Sequence, residues 1–150
     1  MRINLSINQE FKSFEVEPDD YLLDVLRKNH YMSVRRGCDH TSCGVCTVLK
    51  DGKPVPSCSL LVLQAVGHEI TTVEGIQEEA EKLAMYFGLE GADQCGFCNP
   101  SMALTCYALK LENPHATEED IKAYLVGNLC RCTGYVAQHK AIKRYLEDTK

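Results

Sequence analysis

The chain has 150 residues, of which 45% are hydrophobic and 25% are charged, and its formal net charge is −5. This composition is ordinary for a soluble globular protein, and the acidic balance argues against binding to nucleic acid or to an anionic membrane. The longest apolar run is far shorter than a membrane span, and the N-terminus lacks the pattern of a signal peptide, so we expect a cytoplasmic protein.

The start of the chain predicts two strands followed by a short helix. Residues 2–8 alternate between apolar and polar side chains, which is typical of a half-buried strand, and residues 8–10 suit a turn. Phe14 and Val16 continue the alternation into a second strand. The Pro-Asp-Asp run at residues 18–20 provides helix-breaking and N-capping side chains, so a leucine-rich helix is expected directly after it.

A cysteine-rich loop and further short elements complete the first half. Residues 35–46 show no regular pattern, whereas residues 47–49 predict a strand that ends at a hairpin turn formed by Asp51 and Gly52. Residues 59–66 predict a short helix capped by Ser59, and residues 69–73 predict a closing strand. These elements together predict a compact α+β module.

The second half changes to helical spacing, and no alternating pattern follows residue 73. Thr117 precedes three acidic residues, which is the pattern of a helix N-cap followed by side chains that suit the helix dipole. The predicted fold is therefore α+β, with an α+β domain at residues 1–74 and an all-α four-helix bundle at residues 75–150. The apolar positions predict helices around residues 80–87, 102–111, 118–125 and 135–146.

Eight of the nine cysteines fall into two sets of four that do not interleave. The first cysteine set has the spacing C-x4-C-x2-C-x11-C, and the second cysteine set has the spacing C-x2-C-x31-C-x-C. In a chain without export signals such cysteines favour metal or redox chemistry over disulphides. The ninth, Cys106, lies on the apolar side of a predicted helix, so we expect a buried structural thiol. The first set is Cys38, Cys43, Cys46 and Cys58, and the second is Cys95, Cys98, Cys130 and Cys132.

The spacing of the first set favours an iron–sulphur cluster over zinc. Its C-x4-C-x2-C…C pattern is typical of plant-type 2Fe–2S ferredoxins, whereas structural zinc usually takes two C-x2-C-like pairs. The small residues Gly37, Ser42 and Gly44 allow the backbone to wrap closely and to direct N–H groups at the sulphurs. His40 leaves a mixed Cys/His site as an alternative. For the second set the soft thiolate donors also favour a cluster, with zinc as the alternative.

Three arginines lie beside the cysteines in the sequence. Arg35 and Arg36 come just before the first set, and Arg131 stands between Cys130 and Cys132. A positive charge close to a cluster would favour the reduced, more negative state. The alternative is that these arginines are solvated surface residues.

The two cysteine motifs and their neighbours resemble the iron–sulphur subunit of the xanthine oxidase family of molybdenum hydroxylases. The matching segments are residues 37–58, 94–98 and 127–135, in the same order over nearly the whole chain. The resemblance implies an N-terminal β-grasp ferredoxin-like domain that holds the first 2Fe–2S cluster through the first cysteine set. It also implies a C-terminal four-helix domain that holds a second 2Fe–2S cluster through the second set.

The resemblance also implies an electron route. In that family, electrons released at a molybdopterin centre pass singly through the cluster of the helical domain, then the ferredoxin-like cluster, and usually on to FAD. Gln94 and Cys132 would then lie closest to the molybdopterin, and the loop at residues 38–46 would face the flavin partner. The implied partners are a molybdopterin-binding large subunit and an FAD-binding medium subunit.

The expected function is therefore that of an electron-transfer subunit of a molybdenum hydroxylase, with no substrate-converting site in this chain. No glycine-rich dinucleotide fingerprint or recognisable pterin-binding domain occurs in it. The substrate of the complex is expected to be an N-heterocycle of the purine or nicotinate type, or an aldehyde. Two alternatives are a free two-cluster shuttle and a zinc-stapled adaptor.

Overall fold

A mixed five-stranded sheet forms the first part of the fold, in the order β2-β1-β5-β3-β4. The computed structural model describes residues 1–148. β1 runs parallel to β5, whereas the other neighbouring strands are antiparallel. The strands expected from the alternating pattern are confirmed, although the closing strand is shorter than predicted. The strands are β1 (Arg2–Ile7), β2 (Glu10–Glu15), β3 (Thr47–Lys50), β4 (Lys53–Pro56) and β5 (Glu69–Thr71).

Helix α1 (Leu22–Lys28) shares a hydrophobic core with this sheet. Its leucines pack with the apolar face of β1, where the two-residue period of the strand turns Leu5 and Ile7 inward. The prediction that a side chain of residues 18–20 caps this helix is wrong. The Asp20 carboxylate accepts a hydrogen bond from the Glu17 N–H at 2.8 Å, so it closes the preceding turn, and Tyr21 becomes the N-cap residue.

The short helix predicted at residues 59–66 is also wrong. The chain forms two separate 3-10 turns, Ser57–Ser59 and Val62–Ala65. Leu60 lies between them in an extended conformation, and its carbonyl accepts a hydrogen bond from Leu22 N–H at 2.8 Å. This contact with the start of α1 interrupts the helical path, which local propensity alone does not reveal.

Four helices follow the sheet, and no strand occurs after Thr71 in residues 1–148. Thr117 caps α4 as predicted, because its hydroxyl accepts from the Asp120 N–H while the Asp120 carboxylate accepts from the Thr117 N–H. Within the described chain, no helix has the length and apolar character needed to cross a bilayer. The helices are α2 (Gln77–Leu89), α3 (Asn99–Glu112), α4 (Glu118–Tyr124) and α5 (Val136–Glu147).

The sheet and the later helices pack against each other. Leu49 from β3 forms a small buried cluster with Ile76 and with Leu104 and Ala108 of α3. Val45, which precedes β3, is buried in the core of the later helices. The first cysteine loop (residues 38–46) is therefore held against the helical part of the chain, and this contact positions the two cysteine sets beside each other.

Candidate iron–sulphur centres

The first cysteine set comes together from a long loop and the end of a hairpin. The first cysteine loop lies between α1 and β3, and Cys58 lies in the 3-10 turn after β4. The hairpin brings these parts together, because the Cys46 carbonyl accepts hydrogen bonds from the Ser57 N–H at 3.3 Å and the Ser57 hydroxyl at 2.7 Å. This link holds the third cysteine beside the fourth.

The thiols of the first set stand in two pairs, Cys38 with Cys43 and Cys46 with Cys58. The backbone N–H groups of Cys43, His40 and Ser42 point at the Cys38 sulphur and lower its pKa to about 6. Burial raises the pKa of the Cys46 thiol to about 11. The loop therefore directs N–H groups at sulphur, as its small residues predicted, and it places one cysteine near solvent and one deep in the core.

The second cysteine set is assembled at the ends of helices. Cys98 is the N-cap residue of α3, and Cys130 and Cys132 lie in the segment between α4 and α5. These thiols also stand in pairs. The sulphurs of Cys95 and Cys132 are 3.4 Å apart, and Cys98 pairs with Cys130. Cys95 and Cys132 are exposed, whereas Cys98 is buried. Its burial raises the pKa of the Cys98 thiol to about 11.

Polar groups that the sequence analysis did not single out surround the second set. Gln138 is fully buried, and its Nε2 donates to the Cys98 sulphur at 3.7 Å. The Thr133 hydroxyl lies 3.2 Å from the Cys130 sulphur and 2.8 Å from Gln138 Oε1. The signal for Gln138 was its position: it lies three residues before Ala141 on the buried face of α5, where a polar side chain requires a partner.

The arrangement in pairs fits a diiron cluster at each set. A 2Fe–2S cluster takes four cysteine thiolates, two at each iron, so two separate pairs match its needs. The N–H donors directed at sulphur match the hydrogen bonding that tunes such clusters.

The parts that carry the two sets touch each other directly. The Cys43 carbonyl accepts a hydrogen bond from the Leu129 N–H at 2.9 Å, and Leu129 is the neighbour of Cys130. Gly44 has a φ of +73°, and a Cβ atom there would lie 2.0 Å from the Gly127 carbonyl oxygen. The two backbones thus approach at a distance that a side chain would prevent.

The remaining candidate residues divide between surface and core. Gln94 is exposed and adjoins Cys95, so it lies on the same surface as Cys132. Cys106 is fully buried, as predicted for a structural thiol. Arg36 forms an ion pair with Asp24 at 2.6 Å, while Arg35 is half-buried and contacts the backbone beside the second set. The alternative of a solvated surface residue therefore does not hold for Arg35.

Comparison with known proteins agrees with these sites. Residues 5–84 match a family model described as a 2Fe-2S iron-sulfur cluster binding domain, and residues 72–143 match one described as a 2Fe-2S binding domain. The chain is 44% identical to the nicotinate dehydrogenase small FeS subunit of Eubacterium barkeri, over 97% of this chain and 94% of that protein. It is 40% identical to the xanthine dehydrogenase iron-sulfur-binding subunit of Escherichia coli O157:H7, over 89% of this chain and 86% of that protein.

Solved structures show the same relationship. Quinoline 2-oxidoreductase from Pseudomonas putida 86 matches with a TM-score of 0.90 and 39% identity, over 98% of this chain and 94% of that chain. The aldehyde oxidoreductase of Desulfovibrio desulfuricans ATCC 27774 matches with a TM-score of 0.89 and 34% identity, but this chain spans only 17% of that longer one. These matches extend along almost the whole chain and include both cysteine sets. The chain therefore belongs to the iron–sulphur subunits of the xanthine oxidase family of molybdenum hydroxylases, and it carries two 2Fe–2S clusters.

Proposed function

We propose that this chain relays electrons from a molybdopterin centre in a large partner subunit to FAD in a medium partner subunit. The second cysteine set would hold the cluster that receives the electrons, and the first set would hold the cluster that delivers them. When bound, each cluster supplies a centre that accepts and releases one electron at a time. The residues of the chain fix the positions of both clusters and shield their buried sides from water.

The observation that carries this proposal is the direct contact between the two sets. One hydrogen bond of 2.9 Å, from Leu129 N–H to the Cys43 carbonyl, joins a cysteine of the first set to the residue before Cys130 of the second. The close approach of Gly44 and Gly127 keeps these backbones together. This contact supports a single route from one cluster to the other.

The exposure of the cysteines supports the direction of the route. Cys95 and Cys132 are exposed, with Gln94 beside them, so the second set can meet the molybdopterin at this surface. At the first set, Cys38 and Cys58 line a surface cavity of about 460 Å³. We propose that this cavity faces the flavin subunit, and that Cys43 faces inward to the second cluster.

The domain division and the substrate class are parts of the same proposal. We propose that residues 1–74 form the β-grasp ferredoxin-like domain and residues 75–150 the four-helix bundle.

Relatives named for nicotinate, xanthine and quinoline act on N-heterocycles, which supports an N-heterocyclic substrate for the complex. An aldehyde is the second candidate, because the aldehyde oxidoreductase structure matches at 34% identity. The cytoplasmic location stays a prediction.

The variant Cys43→Ser tests the route. We expect the purified complex to lose the first cluster, about two iron atoms per chain, while the substrate still reduces the molybdenum centre and the second cluster. Reduction of the flavin should slow by more than about 100-fold, because the first cluster, which links the second cluster to the flavin in the proposed route, is lost. Anaerobic stopped-flow spectroscopy after substrate addition measures both steps.

The matched control is Cys106→Ser, which makes the same chemical change at a buried cysteine outside both sets. It should leave iron content and flavin reduction unchanged. Rapid flavin reduction in a fully assembled Cys43→Ser complex would refute the route. If the native chain is purified without molybdenum and flavin proteins, the free-shuttle alternative is correct instead.

A further inference from the structure

Arg35, three residues before Cys38, contacts the turn that carries Cys95 and Cys98 of the second set. Its Nη1 donates hydrogen bonds to the carbonyl oxygens of Gly96 at 2.7 Å and Phe97 at 2.8 Å. Its guanidinium carbon lies 5.3 Å from the centre of the Phe97 ring, which adds a cation–π contact. Gly96 and Phe97 are the two residues between Cys95 and Cys98. We propose that Arg35 is a positioning residue that raises the reduction potential of the second cluster.

The contact acts on a peptide group that already donates to a cluster sulphur. The Gly96 carbonyl and the Phe97 N–H belong to one peptide, and that N–H points at the Cys95 sulphur with an N···S distance of 3.5 Å. The Arg35 guanidinium therefore sits at the oxygen end of a peptide whose nitrogen end faces a thiolate. Gly96 permits this orientation because its φ is +71°, a region that residues with side chains rarely adopt.

Two effects of this geometry favour the reduced cluster. The guanidinium polarises the peptide, so the Phe97 N–H becomes a stronger donor to the Cys95 sulphur. The positive charge of Arg35 also attracts the electron that reduction adds, and its half-buried position limits screening by salt. Hydrogen bonds to sulphur and nearby charge are among the factors that set the potentials of iron–sulphur clusters.

Arg36 provides the contrast that the test requires. It is the next residue in the chain and carries the same charge, but its side chain is 43% exposed and pairs with Asp24 at 2.6 Å. The Asp24 carboxylate therefore largely compensates the charge of Arg36, which lies near the first cysteine set. The inference needs both clusters in the chain, but it does not depend on the order in which the proposed function uses them.

The experiment is a redox titration of the full chain as purified, loaded with both clusters and followed by electron paramagnetic resonance. The signal that Cys43→Ser removes identifies the first cluster. In Arg35→Met, we expect the equilibrium constant for reduction of the second cluster to fall at least tenfold, which corresponds to a lowering of about 59 mV for one electron. Arg35→Lys keeps the positive charge but lacks the planar guanidinium that contacts the two carbonyls. It should therefore lower the reduction potential of the second cluster less than Arg35→Met does.

Arg36→Met is the matched control and should leave the reduction potential of the second cluster unchanged. The proposal is overturned if the reduction potential of the second cluster is unchanged in Arg35→Met, or if the potentials of both clusters shift equally in that variant. It is also overturned if Arg36→Met shifts the potential of the second cluster by the same amount. Should Arg35→Met fail to load its clusters, Arg35→Lys decides. A reduction potential of the second cluster equal to that of the native chain overturns the proposal, and a lower potential supports it. Failure of the electron route itself would instead appear in flavin reduction, which this titration does not involve.

Discussion

Replacing Gly44 with alanine is expected to lower the melting temperature of the protein by about 6–12 °C, equivalent to roughly 3 kcal/mol in a chain of this size. The added Cβ would lie 2.0 Å from the Gly127 carbonyl oxygen, a distance at which the two backbones must separate. Separation would also break the hydrogen bond between Leu129 and Cys43, which contributes about 0.5–1.5 kcal/mol. An alanine at φ +73° adds about 1–2 kcal/mol of backbone strain.

Gly52→Ala is the matched control for this effect. Gly52 has a φ of +80°, and no heavy atom in residues 1–148 beyond its chain neighbours comes within 4 Å of a Cβ built there. The control therefore introduces the backbone strain without the collision. We expect its free energy of unfolding to decrease by about 1–2 kcal/mol. Differential scanning calorimetry of both variants measures the difference. Equal shifts would mean that the contact between Gly44 and Gly127 contributes nothing to stability.

Removing iron is expected to lower the melting temperature by more than about 10 °C. Each cluster ties distant parts of the chain together, and cross-links that close loops of about 20 and about 40 residues contribute roughly 3–4 kcal/mol each in chain-entropy terms. The first cysteine loop has no helix or strand of its own, so its fold depends on these ties. Binding energy of this kind becomes folding energy when the site does not exist in the unfolded chain.

The comparison uses protein unfolded by heat under anaerobic conditions, with thiols kept reduced so that disulphides cannot replace the clusters. Cys106→Ser, measured in the loaded and iron-free forms, should show the same difference as the native chain because Cys106 lies outside both sets. Identical melting temperatures for the loaded and iron-free protein would mean that the hydrophobic cores alone hold the fold.

Features that depend on near neighbours in the chain were predictable. The two-residue alternation of residues 2–8 gave β1, and the Thr117 cap was found because the cap residue and Asp120 are three residues apart. The grouping of the cysteines followed from spacing alone. In each case the pattern and its structural cause lie within one short segment or repeat a known ligand spacing.

Features that depend on distant contacts were not predictable. Asp20 has the chemistry of a cap, but the choice between capping α1 and closing the turn at Glu17 depends on how the chain enters the core. Arg35 reaches carbonyls 61 and 62 residues away, and no local pattern indicates such a partner. Gly44 was expected to let the loop wrap closely around the sulphurs, and no local pattern indicates that its lack of a side chain also admits the Gly127 backbone.

The central claim is that eight cysteines hold two 2Fe–2S clusters in one small chain, at two sites whose backbones contact each other. Electron paramagnetic resonance of the loaded protein after dithionite reduction tests it most directly, combined with iron and sulphide analysis. We expect two distinguishable paramagnetic signals and about four iron and four acid-labile sulphide per chain. A silent spectrum from fully loaded protein, or zinc without sulphide, would contradict the claim.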